Sequence, residues 1–321
     1  MVKNLNYAGL TLDRATALRR DDAWVAKRLD HTETRILPVW QGRNLIHVFE
    51  AASRSPEPAF LTGGQARTLM GEADTVVVLG LIGETAYVAA DISALNEDAA
   101  TAITGTGAFE DLRRIGALMA GDHGALLAYA RGMAHWHARH RFCGVCGAPT
   151  ISRDGGHMRQ CLNENSPHMH FPRTDPAVIM LVAHDNPDGR GPACLLGRQK
   201  KWIDGMYSTL AGFVDPGESL EEAVAREVLE ESAIHVTDVH YQASQPWPFP
   251  SSLMLGFRAQ ATTTDITIDR RELEDARWFT PSDIQAFGEW GDDPPRKNRM
   301  PRKDSIARHL IDDWLDETGR G

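Results

Sequence analysis

The chain has 321 residues, of which 42% are hydrophobic and 24% charged, with a formal net charge of −10. That length and mixture suit two or three packed domains and exclude intrinsic disorder, and the acidic balance argues against coating nucleic acid by charge alone. The longest apolar runs, 75–83 and 177–183, fall well short of the roughly 20 residues that cross a bilayer, so they read as buried strands and no membrane partner is expected.

In chain order, the start MVKNLNYAGLTLDRATALRR has no apolar core before a small-residue cleavage site, which places the protein in the cytoplasm. Residues 34–49 and 74–93 read as two strand pairs, each joined by a glycine-bearing turn. The GTG at 105–107 breaks the chain, and 109–141 reads as helix, with Leu126, Leu127, Ala130, Met133 and Ala134 near one stripe. HWHARHRF at 135–142 reads as the end of that helix, where His and Arg favour the negative end of the dipole. The expected organisation is α+β, with an N-terminal domain over 1–139, a cysteine segment over 140–172 and a last domain of alternating strands and helices over 173–321. A strand-rich first domain and a strand-rich last one leave room for a structural duplication.

Cys143, Cys146 and Cys161 have the spacing of three legs of a tetrahedral zinc ribbon; the plainer reading is a small hairpin with reduced thiols. Cys194 reads as an ordinary buried strand cysteine.

The stretch GFVDPGESLEEAVAREVLEESAI, 212–234, crowds Glu218, Glu221, Glu222, Glu227, Glu230 and Glu231 together. Pro216-Gly217 suits a type II turn, and Ser219 with Glu222 forms a capping-box pattern, so a helix is expected from about 220 to 232. At about 100° per residue, Glu227, Glu230 and Glu231 fall within roughly a 100° arc that extends the apolar face of Leu220, Ala223 and Val224. Ala225 and Leu229 lie opposite, which predicts a helix covered on both sides. Glu221 and Glu222 read as solvated. The other three repel one another on a covered face, and Arg226 alone cannot balance them; Mg²⁺ or Mn²⁺, which take hard oxygen ligands, can.

These residues closely resemble the Nudix box, matching it at Gly212, Glu218, Arg226, Glu227, Val228, Glu230, Glu231 and Ile234. Ala233 stands where the box has glycine; if that position ends the helix at positive φ, alanine costs on the order of 1 kcal/mol. Downstream, SQPWPFPSS at 244–252 resembles the signature of the NADH pyrophosphatase subfamily, as do HFPRTDPAVIML, LLGRQ, GMYSTLAGF and RELEDARWF. Its three prolines stiffen the backbone and suggest an exposed stacking platform of Trp247 and Phe249; the plainer reading is a turn whose aromatics plug the core.

The resemblance implies a C-terminal Nudix α/β/α sandwich with a mixed sheet. It also implies metal-dependent hydrolysis of NAD(H) to nicotinamide mononucleotide and AMP, removal of NAD caps from RNA 5′ ends in bacterial relatives, and a homodimer. Carried over by motif, Glu227, Glu230, Glu231 and Glu272 hold the catalytic metal and Arg226 orients a glutamate. Substrate contacts fall on Phe171, Phe213, Gln245, Pro246, Trp247, Pro248, Phe249, Pro250, Ser251, Ser252 and Ala307, with Arg113 as a phosphate contact. Glu164 and Ser166 occupy the positions of the subfamily's second cysteine pair, so the site recruits His168 first or His170, leaves a position to water, or holds no metal. Two alternatives stay open: a broader hydrolase acting on ADP-ribose or diadenosine polyphosphates, and a nucleotide-sensing protein that binds without cutting. For RNA, RKNRMPRK at 296–303 is the obvious basic stretch, and a solvated loop is its plainer reading.

Overall fold

A computed structural model of the chain describes residues 5–47, 55–105, 107–119, 122–165, 167–292 and 296–319. The chain divides into two compact units: a first unit of Asn6–Thr174 together with Trp247–Ser251, and a second made of the remaining described residues. No helix among the described residues is long and apolar enough to cross a membrane.

The first unit contains α1 (Asp22–Asp30), β1 (Arg35–Trp40), β2 (Arg43–His47), β3 (Glu57–Pro58), α2 (Gly63–Glu72), β4 (Thr75–Ile82), β5 (Thr85–Asp91), α3 (Glu97–Thr104), β6 (Ala108–Glu110), α4 (Leu112–Ile115) and α5 (His123–Arg139). Its main sheet has the order β3-β2-β1-β5-β4, with β6 also on β2 and the central pair β1–β5 parallel. One sheet face packs on Leu126, Leu127, Ala130, Met133 and Ala134 of α5. The other packs on Ala66 and Leu69 of α2 and Ala100 of α3. The strand pairs agree with expectation as far as His47; Val48 and Phe49 lie outside the described residues, as does Thr106 of GTG.

The helix expected over 109–141 is two helices and a strand. Ala108–Glu110 pairs with β2, Asp111 caps α4 through the Arg113 amide, and Gly116 ends it against the Tyr7 ring, where a Cβ would meet the Tyr7 hydroxyl. The break therefore depends on a residue more than a hundred positions away, which periodicity does not register. A three-stranded sheet of β7 (Thr150–Arg153), β8 (Met158–Cys161) and β9 (Met169–His170) completes the unit.

The second unit contains β10 (Asp175–His184), β11 (Ala193–Arg198), β12 (Leu210–Phe213), α6 (Leu220–Ser232), β13 (Val236–Trp247), β14 (Ser252–Ala261), β15 (Asp275–Phe279), α7 (Pro281–Gln285) and α8 (Ile306–Thr318). The sheet order is β13-β14-β10-β11-β15, with β12 on β10 and β10–β14 parallel. Val178, Met180 and Val182 of β10 face Ala223, Val224 and Val228 of α6, while the alternate residues Ile179 and Leu181 face Ile306, Leu310 and Ile311 of α8. A strand buried on both faces reads as a continuous apolar run, which is what 177–183 shows. Cys194 is buried in β11.

Candidate active site

β12 leads into α6 through a turn in which the Glu218 amide donates to the Asp215 carbonyl at 3.1 Å and Gly217 takes φ 100°. Ser219 then caps the helix: its hydroxyl accepts from the Glu222 amide, and the Glu222 carboxylate accepts from the Ser219 amide. This box meets two of the amides that a helix start leaves without partners. At the other end Ala233 sits at φ 61°, ψ 17°, in the left-handed region, and its amide donates to the Leu229 carbonyl. The opposite face is open, contrary to expectation: Leu229 is 41% exposed, so α6 is covered on one side.

Arg226 organises the acids. Its Nε and Nη2 donate to Glu218 at 2.5 and 2.9 Å, its Nη1 to Glu227 at 2.9 Å and Glu230 at 3.1 Å, and Nη2 also reaches the Phe213 carbonyl at 3.0 Å. Glu218, held by the Arg226 guanidinium and the Asp215 amide, is pushed down to about 2. Glu218 has no place among the site residues expected from the sequence, yet it is the acid to which Arg226 is tied most closely. The box pattern at that position was its signal.

Glu231 receives no such partner. It is 5% exposed, its Oε2 is buried without a hydrogen bond among the described residues, and burial, with Glu227, Glu272 and Glu230 nearby, pushes it up to about 8. Glu227 is raised by burial too, partly offset by Arg226. Its carboxylate lies directly on the backbone of Gly212: a Cβ there would come within 1.8 Å of Glu227 Cδ. Glycine at that position thus makes room for a carboxylate. Glu272 arrives by a long loop between β14 and β15, because the helix C-terminus leaves carbonyls free. The Thr267 amide takes that of Ser232 at 2.9 Å and the Asp269 amide that of Glu231 at 3.1 Å. An unpartnered buried carboxylate oxygen facing other carboxylates costs several kcal/mol unless it is protonated or neutralised. The donor set is all hard oxygen, which fits Mg²⁺ or Mn²⁺.

A second donor set lies in the first unit. One ligand atom from each of Cys143, Cys146, Cys161 and His168 falls within 4.8 Å of the others, and no other group of three or more His, Cys, Asp or Glu is gathered so closely among the described residues. Backbone amides support the sulfurs: Val145 donates to Cys143 Sγ and Asn163 to Cys161 Sγ, both at 3.4 Å. The Ala148 amide and the Cys161 thiol hold the Cys146 thiol down at about 6. Three soft sulfurs and one imidazole form a zinc-type donor set. His170 Nε2 is 3.2 Å from Cys143 Sγ, Glu164 is exposed outside the group, and Ser166 lies outside the described residues.

The substrate candidates are divided between the units: Arg113, Phe171 and Trp247–Ser251 belong to the first, and Phe213, Gln245, Pro246, Ser252 and Ala307 to the second. Phe171 and Phe213 are exposed. Trp247 and Phe249, expected on an open face, are half-buried and meet Tyr7 edge-on at 5.9 and 5.7 Å. Arg113 lies over the Phe249 ring at 4.8 Å, and Arg131 donates to the Pro248 carbonyl at 2.9 Å. Gln245 is fully buried: its amide donates to the Asp304 carbonyl and accepts from the Ile306 amide, tying β13 to the start of α8. Ala307 is buried in that helix, Pro246 and Pro250 are exposed, and Ser251 and Ser252 are half-buried. In HWHARHRF, α5 ends at Arg139 and His137 is buried between the Gly156 carbonyl and Arg159.

Comparison with known proteins matches 173–300 to the NUDIX domain, 138–171 to the NADH pyrophosphatase zinc ribbon domain, and 33–136 to the NADH pyrophosphatase-like rudimentary NUDIX domain. The chain is similar to NAD-capped RNA hydrolase NUDT12 of Homo sapiens, 45% identical over 196 residues, covering 59% of this chain and 41% of that protein. It is 41% identical over 212 residues to NAD-capped RNA hydrolase NudC of Pseudomonas syringae pv. tomato, covering 65% of this chain and 68% of that protein. To the NudC of Mycobacterium bovis it is 41% identical over 208 residues, with 64% of each chain covered. The matched region spans about two fifths of the length of the human relative.

Proposed function

This chain belongs to the NADH pyrophosphatase branch of the Nudix family, and we propose that it splits the diphosphate linkage of NAD(H) into nicotinamide mononucleotide and AMP, and does the same to NAD caps on RNA 5′ ends. The relatives' names support the substrate class. One observation carries the chemistry: Glu231 is buried beside Glu227 and Glu272 with an oxygen that no protein group among the described residues satisfies.

Glu227, Glu230, Glu231 and Glu272 would hold magnesium or manganese, which when bound supplies positive charge to the diphosphate oxygens and lowers the pKa of the attacking water. Arg226 aims Glu227 and Glu230 through its Nη1, while Glu218 fixes Arg226 itself. Burial pushes Glu231 up to about 8, so with no cation beside it the side chain would carry a proton at neutral pH, and a cation held there would favour its carboxylate form. The oxygen of water forms a bond to one phosphorus as the bridging P–O bond breaks, and a carboxylate of the cluster accepts the water's proton. The exposed rings of Phe213 and Phe171 offer stacking faces to bases. Trp247–Ser252, Gln245, Ala307 and Arg113 act by shaping their own units. Zinc is assigned to Cys143, Cys146, Cys161 and His168, and a homodimer is the assembly we assign.

Incubation of the purified protein with NADH and Mn²⁺ tests this reading. Reduced nicotinamide mononucleotide and AMP in equal amounts are expected, with close to one zinc per chain by elemental analysis. NADH recovered intact, with no AMP released, overturns the hydrolase.

A further inference from the structure

β11 and β15 run antiparallel with Arg198 opposite Asp275, so the chain leaving β11 and the chain entering β15 emerge side by side. The Glu274 amide donates to the Arg198 carbonyl at 2.8 Å, and Arg198 pairs with the Glu274 carboxylate at 2.9 Å. These bonds bring Lys200 and Lys201 against Arg270 and Arg271, far apart in sequence, around a groove of about 560 Å³ that Gln199 and Glu272 also line. Arg271 is occupied by Asp269. Lys200, Lys201 and Arg270 are exposed, and among the described residues none of them takes part in an ion pair.

A cationic groove in a chain of net charge −10 stands against the trend of the molecule. It shares Glu272 with the carboxylate cluster, and the charge of Glu272 is felt by Glu231. An anion lying in the groove is therefore adjacent to the groups that act on the diphosphate. Free NAD(H) has only the two phosphates on either side of the bond that is split, and those belong to the cluster. Further phosphates exist when the dinucleotide carries a polynucleotide. The stretch at 296–303, basic in sequence, is partly neutralised, with Arg302 paired with Asp304 and Lys303 with Glu289, and none of its residues lines the groove beside Glu272.

We propose that the groove lined by Lys200, Lys201 and Arg270 holds the phosphodiester backbone of single-stranded RNA attached to the dinucleotide, and so selects capped RNA over the free cofactor. This rests on the hydrolase reading of the neighbouring carboxylates. Exposed lysines and an arginine around an open groove suit backbone phosphates, which need charge rather than shape.

The test is a triple variant, Lys200→Ala, Lys201→Ala and Arg270→Ala, compared with wild type on three ligands. Binding of an uncapped, fluorescently labelled RNA is measured by anisotropy without divalent cations, over a salt series. Turnover is measured on NADH, on NADPH and on a short NAD-capped RNA. The variant is expected to bind RNA about tenfold more weakly, with a log–log salt slope shallower by about 2 for three lost contacts. It should lose a similar factor in kcat/KM on capped RNA and stay within about twofold of wild type on NADH. Unchanged RNA affinity and salt slope overturn the proposal, as does an equal fall on NADH and capped RNA. A loss on NADPH without one on capped RNA assigns the groove to a phosphate on the nucleotide itself and likewise overturns it. Wild-type protein that splits none of these substrates, yet binds RNA through the three side chains, refutes the hydrolase and leaves the groove standing.

Discussion

Five strands in each unit share one topology, while the third strand differs, with β3 on β2 but β12 on β10. A parallel central pair, β1–β5 or β10–β14, is extended by an antiparallel strand on each side, β2 and β4 or β11 and β13, with β6 on β2 where β15 lies on β11. One sheet face takes α2 or α6 and the other α5 or α8. The helices at the corresponding position differ in everything chemical. α2, GGQARTLMGE, buries Ala66 and Leu69, has no side-chain cap and carries one acid, Glu72. α6 has a capping box, an arginine tied to three glutamates, and a further glutamate buried with an oxygen that has no partner among the described residues. The same backbone plan thus serves twice, once with a helix that carries a single exposed acid and once with a helix that gathers acids and buries Glu231. Fold alone does not carry the reaction; the side chains set on it do.

The sharpest way to break that contrast is to neutralise an acid on each helix. Glu231→Gln should cut turnover of NADH by about a hundredfold or more while leaving the unfolding transition intact, whereas Glu72→Gln should stay within about twofold of wild type. Near-normal hydrolysis by the Glu231 variant would remove the chemistry from α6.

Acid and alkali should separate the units as well. Burial lowers His137 and His157 in the first unit from 6.5 to about 4, while burial raises Glu231 in the second from 4.5 to about 8. Between pH 6.5 and about 4 the unfolded first unit binds more protons than the native one, so its stability falls as pH falls. Between pH 4.5 and about 8, without divalent cations, native Glu231 binds more protons than its unfolded form, so the stability of the second unit falls as pH rises. Hydrogen exchange resolved by peptide, in a chelator, should show these opposite slopes, and Glu231→Gln should flatten the second. Parallel slopes in both units would contradict the burial assigned to these groups.

The smallest expected effect concerns how the two helices end. Ala233 after α6 has φ 61°, but Ala73 after α2 has φ −78°. Ala233→Gly should therefore raise stability by about 1 kcal/mol by removing a left-handed alanine, while Ala73→Gly should lower it by about 0.5 to 1 kcal/mol. Denaturant midpoints read both, and equal signs would show that backbone strain is not what distinguishes them.

Much of the candidate site was legible because its signals are local. Pro216-Gly217, the Ser219–Glu222 box and the spacing of the acids are set within a turn or two of chain, and α6 runs from Leu220 to Ser232 as those signals predict. Cys143 and Cys146 are near neighbours too, and His168 lies only seven residues after Cys161, close enough in sequence to read as the first replacement for the missing cysteine. What escaped depends on distant partners. Gln245 reads as a substrate contact in its motif, yet its amide joins β13 to α8; Trp247 and Phe249 pack on Tyr7. The basic groove joins two loops remote from each other in sequence, which composition never sets side by side, whereas the longer basic run at 296–303 is continuous in sequence and partly neutralised in the fold.

The order of amino acids by itself determined that a turn-capped helix would gather carboxylates and that three cysteines would seek a fourth donor, since the first follows from residues within a few turns of one helix and the second from the spacing of Cys143, Cys146 and Cys161. Only the tertiary structure decided which carboxylate loses its counter-charge, which histidine joins the sulfurs, and where unpaired cations meet. Burial and pairing are properties of the space around a side chain, and segments remote in the sequence fill that space.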